Sequence, residues 1–251
     1  VAEKCIRKKK HVFIEKPITS TIEEADKLLA LAKKNKVIVQ VGHIERLNPA
    51  LRALEPYKIN PKFIEIQRLA PYNTRGTDVP VVLDKMIHDI DIVLSLVDSK
   101  VRSISASGLS ILTDSIDIAH AQIKFENGCV SSITSSRIAK DEVRKIKTFQ
   151  QNLYSTVDLY KGLTEVYTVS KKGLDKKSFL MSVPFNYKNK TRHIIYEKPT
   201  IIKEDALKLE LINFTNSMKG LETPIVSGQS GREALNVAIE IQEKIIKGFI
   251  S

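Results

Sequence analysis

Near its start the chain carries two short, almost wholly apolar runs on either side of one helical pattern, and few folds accept that arrangement. His-Val-Phe-Ile at 11–14 stops at Glu15-Lys16-Pro17. Pro17 has no N–H for a sheet ladder and biases Lys16 away from the helical region, so a strand must end there in a turn. Ser20-Thr-Ile-Glu23 then matches a capping box that opens a helix. Ile22, Ala25, Leu28, Leu29 and Ala32 recur at helical spacing, and Lys33, Lys34 and Lys36 crowd the far end, where cations suit the dipole. Val-Ile-Val-Gln-Val at 37–41 reads as a second strand, closing on Gly42-His43. Strand, helix and strand in about thirty residues make a βαβ unit. Its strands are nearly all apolar, as in a parallel sheet covered on both faces, and ligands of such sheets bind at the edge formed by the carboxyl ends. Glu15-Lys16 and Gly42-His43 are therefore expected side by side at that edge.

The pattern then changes. A short helix is expected over 48–55, opened near Pro49, and a strand over 63–69. Residues 83–97 form a periodic helix in which Leu83, Ile87, Ile90, Leu94 and Val97 make one apolar stripe. Asp84, His88 and Asp91 fall at i, i+4 and i+7, on a second, shared face. From 101 to 170 the chain reads as successive strands, with Asn127-Gly128 as a hairpin turn, which predicts an antiparallel sheet with one covered face. Residues 171–190 are basic and unpatterned and are expected to be a loop. Two helices close the chain. The first carries Leu207, Leu211, Phe214 and Met218 and stops at Gly220; the second starts after Gly228-Gln-Ser-Gly231. The predicted fold class is α/β plus α+β: a remnant of a parallel domain over 1–45, then an α+β domain over 46–251 with a large, mostly antiparallel, open-faced sheet.

Composition narrows the partners. The net charge is +11, from 40 basic and 29 acidic residues, and such an excess attracts polyanions. Its lysines sit in scattered clusters such as Lys8-Lys9-Lys10 and Lys176-Lys177, with no interleaved aromatics, so no nucleic-acid partner is expected. No apolar run approaches the ~20 residues of a membrane span. Cys5 and Cys129 share no metal-ligand spacing and read as reduced thiols of a cytoplasmic protein; no metal site is expected.

Three residues stand out for chemistry. An ammonium at Lys16, held at a strand tip, would stabilise a developing alkoxide or polarise a carbonyl; it would equally serve as a salt-bridge partner for Glu15. A neutral imidazole at His88 is a usable base near pH 7, and Asp84 one turn away would orient it or raise its pKa; a surface pair or a core histidine fits the same spacing. Glu197-Lys198-Pro199 repeats the Glu-Lys-Pro tripeptide outside any βαβ unit, and Gly228-x-x-Gly231 is too weak a signal for a phosphate loop.

Glu15-Lys16-Pro17, Gly42-His43 and Asp84-x-x-x-His88-Asp89-Ile90-Asp91, in that order, resemble the glucose–fructose oxidoreductase, inositol dehydrogenase and MocA-like family over essentially the whole chain. Residues 41–49, with Pro71-Tyr72-Asn73-Thr74-Arg75 and Asp78-Val79, look most like the branch acting on the 3-position of a UDP-N-acetylhexosamine. The resemblance implies that 1–45 belong to a Rossmann NAD(P)-binding domain and 46–251 to a substrate-binding and oligomerisation domain. It implies a hydride moved between nicotinamide and a sugar secondary alcohol. Lys16, Asp84 and His88 would be catalytic; Glu15, Lys16 and His43 would meet the cofactor; Arg46, Asn48, Arg75 and Asp84 would meet the substrate. A homodimer or homotetramer through the open sheet face is also implied.

The family's glycine-rich G-x-G-x-x-G turn and its acidic ribose-reading residue are not found in these 251 residues. Roughly eighty residues of an ordinary Rossmann half would then lie upstream, so the expected activity belongs to a longer parent, and the cofactor is NAD or NADP without a choice between them. Two other readings are retained. The substrate could be a free cyclitol or aldose, or the chain could be a non-catalytic binding or assembly module.

Overall fold

A computed structural model describes residues 1–73, 79–170, 180–188 and 190–250, apart from the side chains of 249 and 250. After a short helix α1 (Ala2–Arg7), strands β1 (Val12–Glu15) and β2 (Val39–Gly42) pair in parallel, with Val12 opposite Val39 and Glu15 opposite Gly42. The two carboxyl ends therefore meet at one edge, as the βαβ pattern predicts. Helix α2 (Ile22–Asn35) connects them. Its capping box lies one residue beyond the expected one. The Thr21 hydroxyl accepts from Glu24 N–H at 3.3 Å, while the Glu24 carboxylate accepts from Ser20 N–H at 3.2 Å. The Thr19 hydroxyl donates to the Thr21 carbonyl and keeps Ser20 outside the helix.

After a 3₁₀ turn (Ile44–Leu47) and the short helix α3 (Pro49–Arg52), β3 (Phe63–Leu69) enters the middle of a second, larger sheet. A π-helical turn (Val82–Met86) leads into α4 (Ile87–Leu96). Then come β4 (Val101–Leu109), β5 (Ile118–Phe125), β6 (Val130–Ser136), β7 (Val143–Gln150), β8 (Leu153–Asp158), β9 (Leu163–Ser170), β10 (Met181–Tyr187) and β11 (Lys190–Glu197). Among the described residues the sheet has nine strands in the order β10-β11-β9-β8-β7-β3-β6-β5-β4. Only the β3–β6 pair is parallel. Helices α5 (Ala206–Met218) and α6 (Gly228–Ile250) follow.

Strand β10 corrects the expected loop over 171–190 at residues 181–187, while 171–179 and 189 lie outside the described residues. It is an edge strand whose residues are mostly exposed, and Pro184 sits within it. An edge tolerates proline and needs no buried face, so the alternation that marks an inner strand is missing.

The sheet has one covered face. Ile64, Ile66, Ile133 and Ile146 point to the core that α4 and α6 complete with Ile87, Ile90, Ala238 and Ile241. On the opposite face Phe63, Phe149, Tyr154, Tyr167 and Tyr196 form a row across β3, β7, β8, β9 and β11, with ring centroids 4.8–5.8 Å apart. Helix α4 is less amphipathic than its stripe predicts: Asp89, Asp91, Ile92 and Val93 are buried beside Ile87 and Ile90.

A smaller core surrounds the parallel pair. Ala25, Leu28, Val39 and Val41 pack there with Val226 and Leu235 from the chain's other end. Val41 N–H donates to the Val226 carbonyl at 3.0 Å. Helix α6 begins at Gly228, not after Gly231, and both glycines lie against β2. A Cβ on Gly231 would come within 2.5 Å of Val41 Cγ2, and one on Gly228 within 3.1 Å of Val39 Cβ. The spacing that hinted at a phosphate turn is a packing device.

Candidate active site

Lys16 leaves the tip of β1 through a cis peptide bond to Pro17. Its ammonium donates to the main-chain oxygen of Asp84 at 2.5 Å and lies 3.5 Å from the Asp84 carboxylate. Asp84 belongs to the π turn before α4 and also faces Lys85 at 3.7 Å. His88 follows in the first turn of α4. These residues line a cleft of about 250 Å³, with Arg68, Glu142 and Arg144 on its other walls. Lys16, Asp84 and His88, singled out from the sequence, thus share one cavity. The π turn inserts a residue into the helical repeat, a feature frequent at functional sites. Asp84 consequently turns toward Lys16, and no hydrogen bond joins it to His88.

The electrostatics also differ from the simple expectation. Burial, followed by the positive charges of Arg68 and Lys16, pushes the His88 imidazole down to about 2, so Asp84 does not raise it. His88 is held neutral, the form a base requires. Its Nδ1 is buried without a partner. The ring of His43 stands edge-on to it, with centroids 5.9 Å apart. His43 is buried, both of its ring nitrogens lack a partner, and burial lowers its pKa against the opposing pull of Asp91. The Glu15 carboxylate lies over Gly42, where a Cβ would meet Glu15 Oε2 at 2.8 Å.

Sequence reasoning missed the framework that holds this site. Buried Arg68 on β3 binds Asp89 through two nitrogens, at 2.8–3.1 Å, and Glu45 at 2.9 Å. Burial alone would lower the Arg68 pKa; Asp89 and Glu45 reverse that and keep the guanidinium charged. Arg144 reaches Glu45 at 3.4 Å and Glu142 at 2.8 Å. Arg46 is clamped by Asp91 at 2.6 and 2.7 Å and donates to the Ile225 carbonyl. Asn48 caps α3 through Ala50 N–H and donates to Glu45 at 3.1 Å. The expected substrate residues Arg46 and Asn48 are therefore both engaged within the chain, and Arg75 lies outside the described residues. The available signal was Asp89 and Asp91 on an apolar helix, since buried carboxylates must be paired.

One further carboxyl escaped notice. Glu210 on α5 is buried and neither of its carboxyl oxygens has a partner. Burial, with Glu15 and Asp91 nearby, raises its pKa to about 7.

The edge beside β1 and β2 suits a nicotinamide–ribose group: Glu15, held over Gly42, can accept from hydroxyls, and His43 offers unused nitrogens. Two family descriptions match the chain: an oxidoreductase family with an NAD-binding Rossmann fold over residues 1–43, and a GFO/IDH/MocA C-terminal domain over residues 66–150. UDP-N-acetylglucosamine 3-dehydrogenase of Acidithiobacillus ferrooxidans is 30% identical over 96% of this chain and 73% of its own length. This chain belongs to the Gfo/Idh/MocA oxidoreductase family.

A crystal form of that Acidithiobacillus dehydrogenase superposes with a TM-score of 0.85 at 29% identity, covering 97% of this chain and 73% of the other. Myo-inositol 2-dehydrogenase of Thermotoga maritima is 25% identical over 92% of this chain and 69% of its own length. As a Gfo/Idh/MocA member the protein is an NAD-dependent oxidoreductase, and its Rossmann-like segment precedes a large, mostly antiparallel sheet. Among the described residues no helix is long and apolar enough to cross a membrane, and no group of three or more His, Cys, Asp or Glu forms a metal site.

Proposed function

We propose that the protein oxidises a secondary alcohol of a sugar, at the 3-position of a UDP-N-acetylhexosamine, in an intact enzyme that includes this chain. The observation that carries the chemistry is the shared cleft of Lys16, Asp84 and His88 at the carboxyl edge of the parallel pair. The substrate class is supported by the named activity of the Acidithiobacillus relative.

A nicotinamide held at this edge would supply the hydride acceptor for the carbinol carbon. Glu15 and His43 would hold its ribose end. Neutral His88 takes the hydroxyl proton. The Lys16 ammonium lies where charge develops on the alkoxide oxygen, and its bond to the Asp84 carbonyl fixes its direction. Asp84 faces the ammonium at 3.5 Å and accepts from a neighbouring sugar hydroxyl. Arg68 and Arg144, each paired with Glu45, line the wall opposite Lys16 and offer guanidinium donors to substrate oxygens. Arg46 and Asn48 shape the site through Asp91 and Glu45, with Arg75 as a further substrate contact.

Measuring reduced nicotinamide formed from UDP-N-acetylglucosamine and from myo-inositol, with NAD and with NADP, tests the reading. Preference for the nucleotide sugar supports it. Faster turnover of the cyclitol would move the substrate to the free polyols, as the Thermotoga relative's name suggests for that enzyme. The aromatic row on the uncovered sheet face fits a homodimer or homotetramer, whose molar mass multi-angle light scattering would report.

A further inference from the structure

The His43–His88 pair poses a chemical question. His88 sits among Arg68 of β3, Arg144 of β7 and Lys16, and the ring of His43 stands edge-on to it with centroids 5.9 Å apart. Three nitrogens of the two rings are buried with no hydrogen bond: Nδ1 of His88 and both nitrogens of His43. Orphaned buried polar atoms are costly, so their persistence calls for a use. His43 itself faces Lys16 from the β1 tip, Arg46 from the 3₁₀ turn and Asp91 from α4. Of these, Asp91 favours a positive charge on His43. The histidine ring torsion is broad, and catalytic hydrogen bonds often close only in the substrate complex.

We propose that His43 is a proton station behind His88, taking up the proton that the substrate alcohol releases. This rests on the reading of His88 as the base. The alcohol O–H bond breaks as a bond forms to His88 Nε2. The His88 Nδ1–H bond breaks as one forms to a His43 nitrogen. The positive charge thereby moves away from Arg68 and Arg144 and toward Asp91. No electrons move in this relay. When product leaves, the proton returns along the same path to the cleft. His43 is thus more than the ribose-pocket wall expected from its place after β2.

The test compares His43→Gln and His43→Phe with His88→Asn in the intact protein. Turnover at saturating dinucleotide by the His43 variants should fall about 10- to 100-fold, less than for His88→Asn, with a shifted pH profile of kcat, whatever the rise in dinucleotide KM. A raised dinucleotide KM with unchanged kcat, pH profile and solvent isotope effect would leave His43 a pocket wall and overturn the relay. Normal turnover in His88→Asn would instead remove the base reading itself. A second readout needs no turnover. In nitrogen-15 histidine NMR, His88→Asn should displace the His43 titration curve. An undisplaced His43 curve would also overturn the relay.

Discussion

The Lys16 ammonium lies 2.5 Å from the main-chain oxygen of Asp84, a contact between a strand tip and a helical turn 68 residues later. It ties the parallel pair to the large sheet's helix at the point where both face the cleft. A main-chain acceptor cannot be removed by side-chain substitution. The position of Lys16 is therefore set by the backbone, while the Asp84 carboxylate at 3.5 Å adjusts its charge environment.

Replacing Lys16 by Met keeps much of the side chain's length and removes the charge. Turnover should drop about 10²- to 10³-fold, the scale expected when one group stabilising a developing oxyanion is lost. Sugar and dinucleotide dissociation constants should stay within a few-fold. Calorimetric titration beside steady-state kinetics separates the two, and near-normal kcat would remove Lys16 from the mechanism.

Burial, with Arg68 and Lys16 nearby, pushes the His88 pKa down to about 2. The acid limb of kcat/KM should therefore lack a break at the ordinary imidazole value near 6.5. A rate profile collected from pH 5 to 9 checks this. A clear break at 6.5 that vanishes in His88→Asn would show that the imidazole is far less shielded than its burial implies.

Arg68→Met leaves Asp89 and Glu45 buried without their shared cation. Breaking such a pair from one side costs about 3–5 kcal/mol. Urea unfolding should show the loss, and Arg68→Met combined with Asp89→Leu should recover part of it. A loss below about 1 kcal/mol would mean that solvent or Arg144 compensates.

Glu210 gives stability a pH dependence. The carboxyl is neutral in both folded and unfolded chains well below 4.5, its ordinary value. Between 4.5 and about 7 the unfolded chain loses the proton while the folded chain keeps it. The native state is therefore favoured less as pH rises through this window, by roughly 1–3 kcal/mol, and the loss levels off above it. Glu210→Gln should match the parent near pH 4.5 and exceed it at pH 8. A stability difference that is flat with pH would show that Glu210 is ionised throughout.

Gly231→Ala should destabilise by about 1–3 kcal/mol, because Val41 is stiff at χ1 and cannot retreat from the new methyl group. The gain in helix propensity, about 1 kcal/mol, offsets only part of this. Pairing it with Val41→Ala in a double-mutant cycle should return a coupling energy above about 0.5 kcal/mol. Additive effects would dismiss the close contact.

Those elements were legible whose pattern is local. The βαβ unit showed itself through two apolar runs and a capped helix, and 63–69 through its alternation of Ile64, Ile66 and Arg68 with exposed neighbours. Lys16 and His88 were visible because their motifs sit at element ends. Strand β10 was not, since an edge strand buries neither face. The π turn left no mark, because one extra residue per turn changes hydrogen bonding without changing composition. Arg68, Glu45 and Asp89 come from three distant segments, and Glu210 looks like any charged residue on an exposed helix. Their roles exist only once the chain has folded back on itself.

The parallel pair's core is closed by Val226 and Leu235. During synthesis, β1 and β2 leave the ribosome long before those residues exist. Lys16 is thus synthesised well before the floor that supports it. Until helix α6 docks, the parallel pair keeps that apolar surface uncovered.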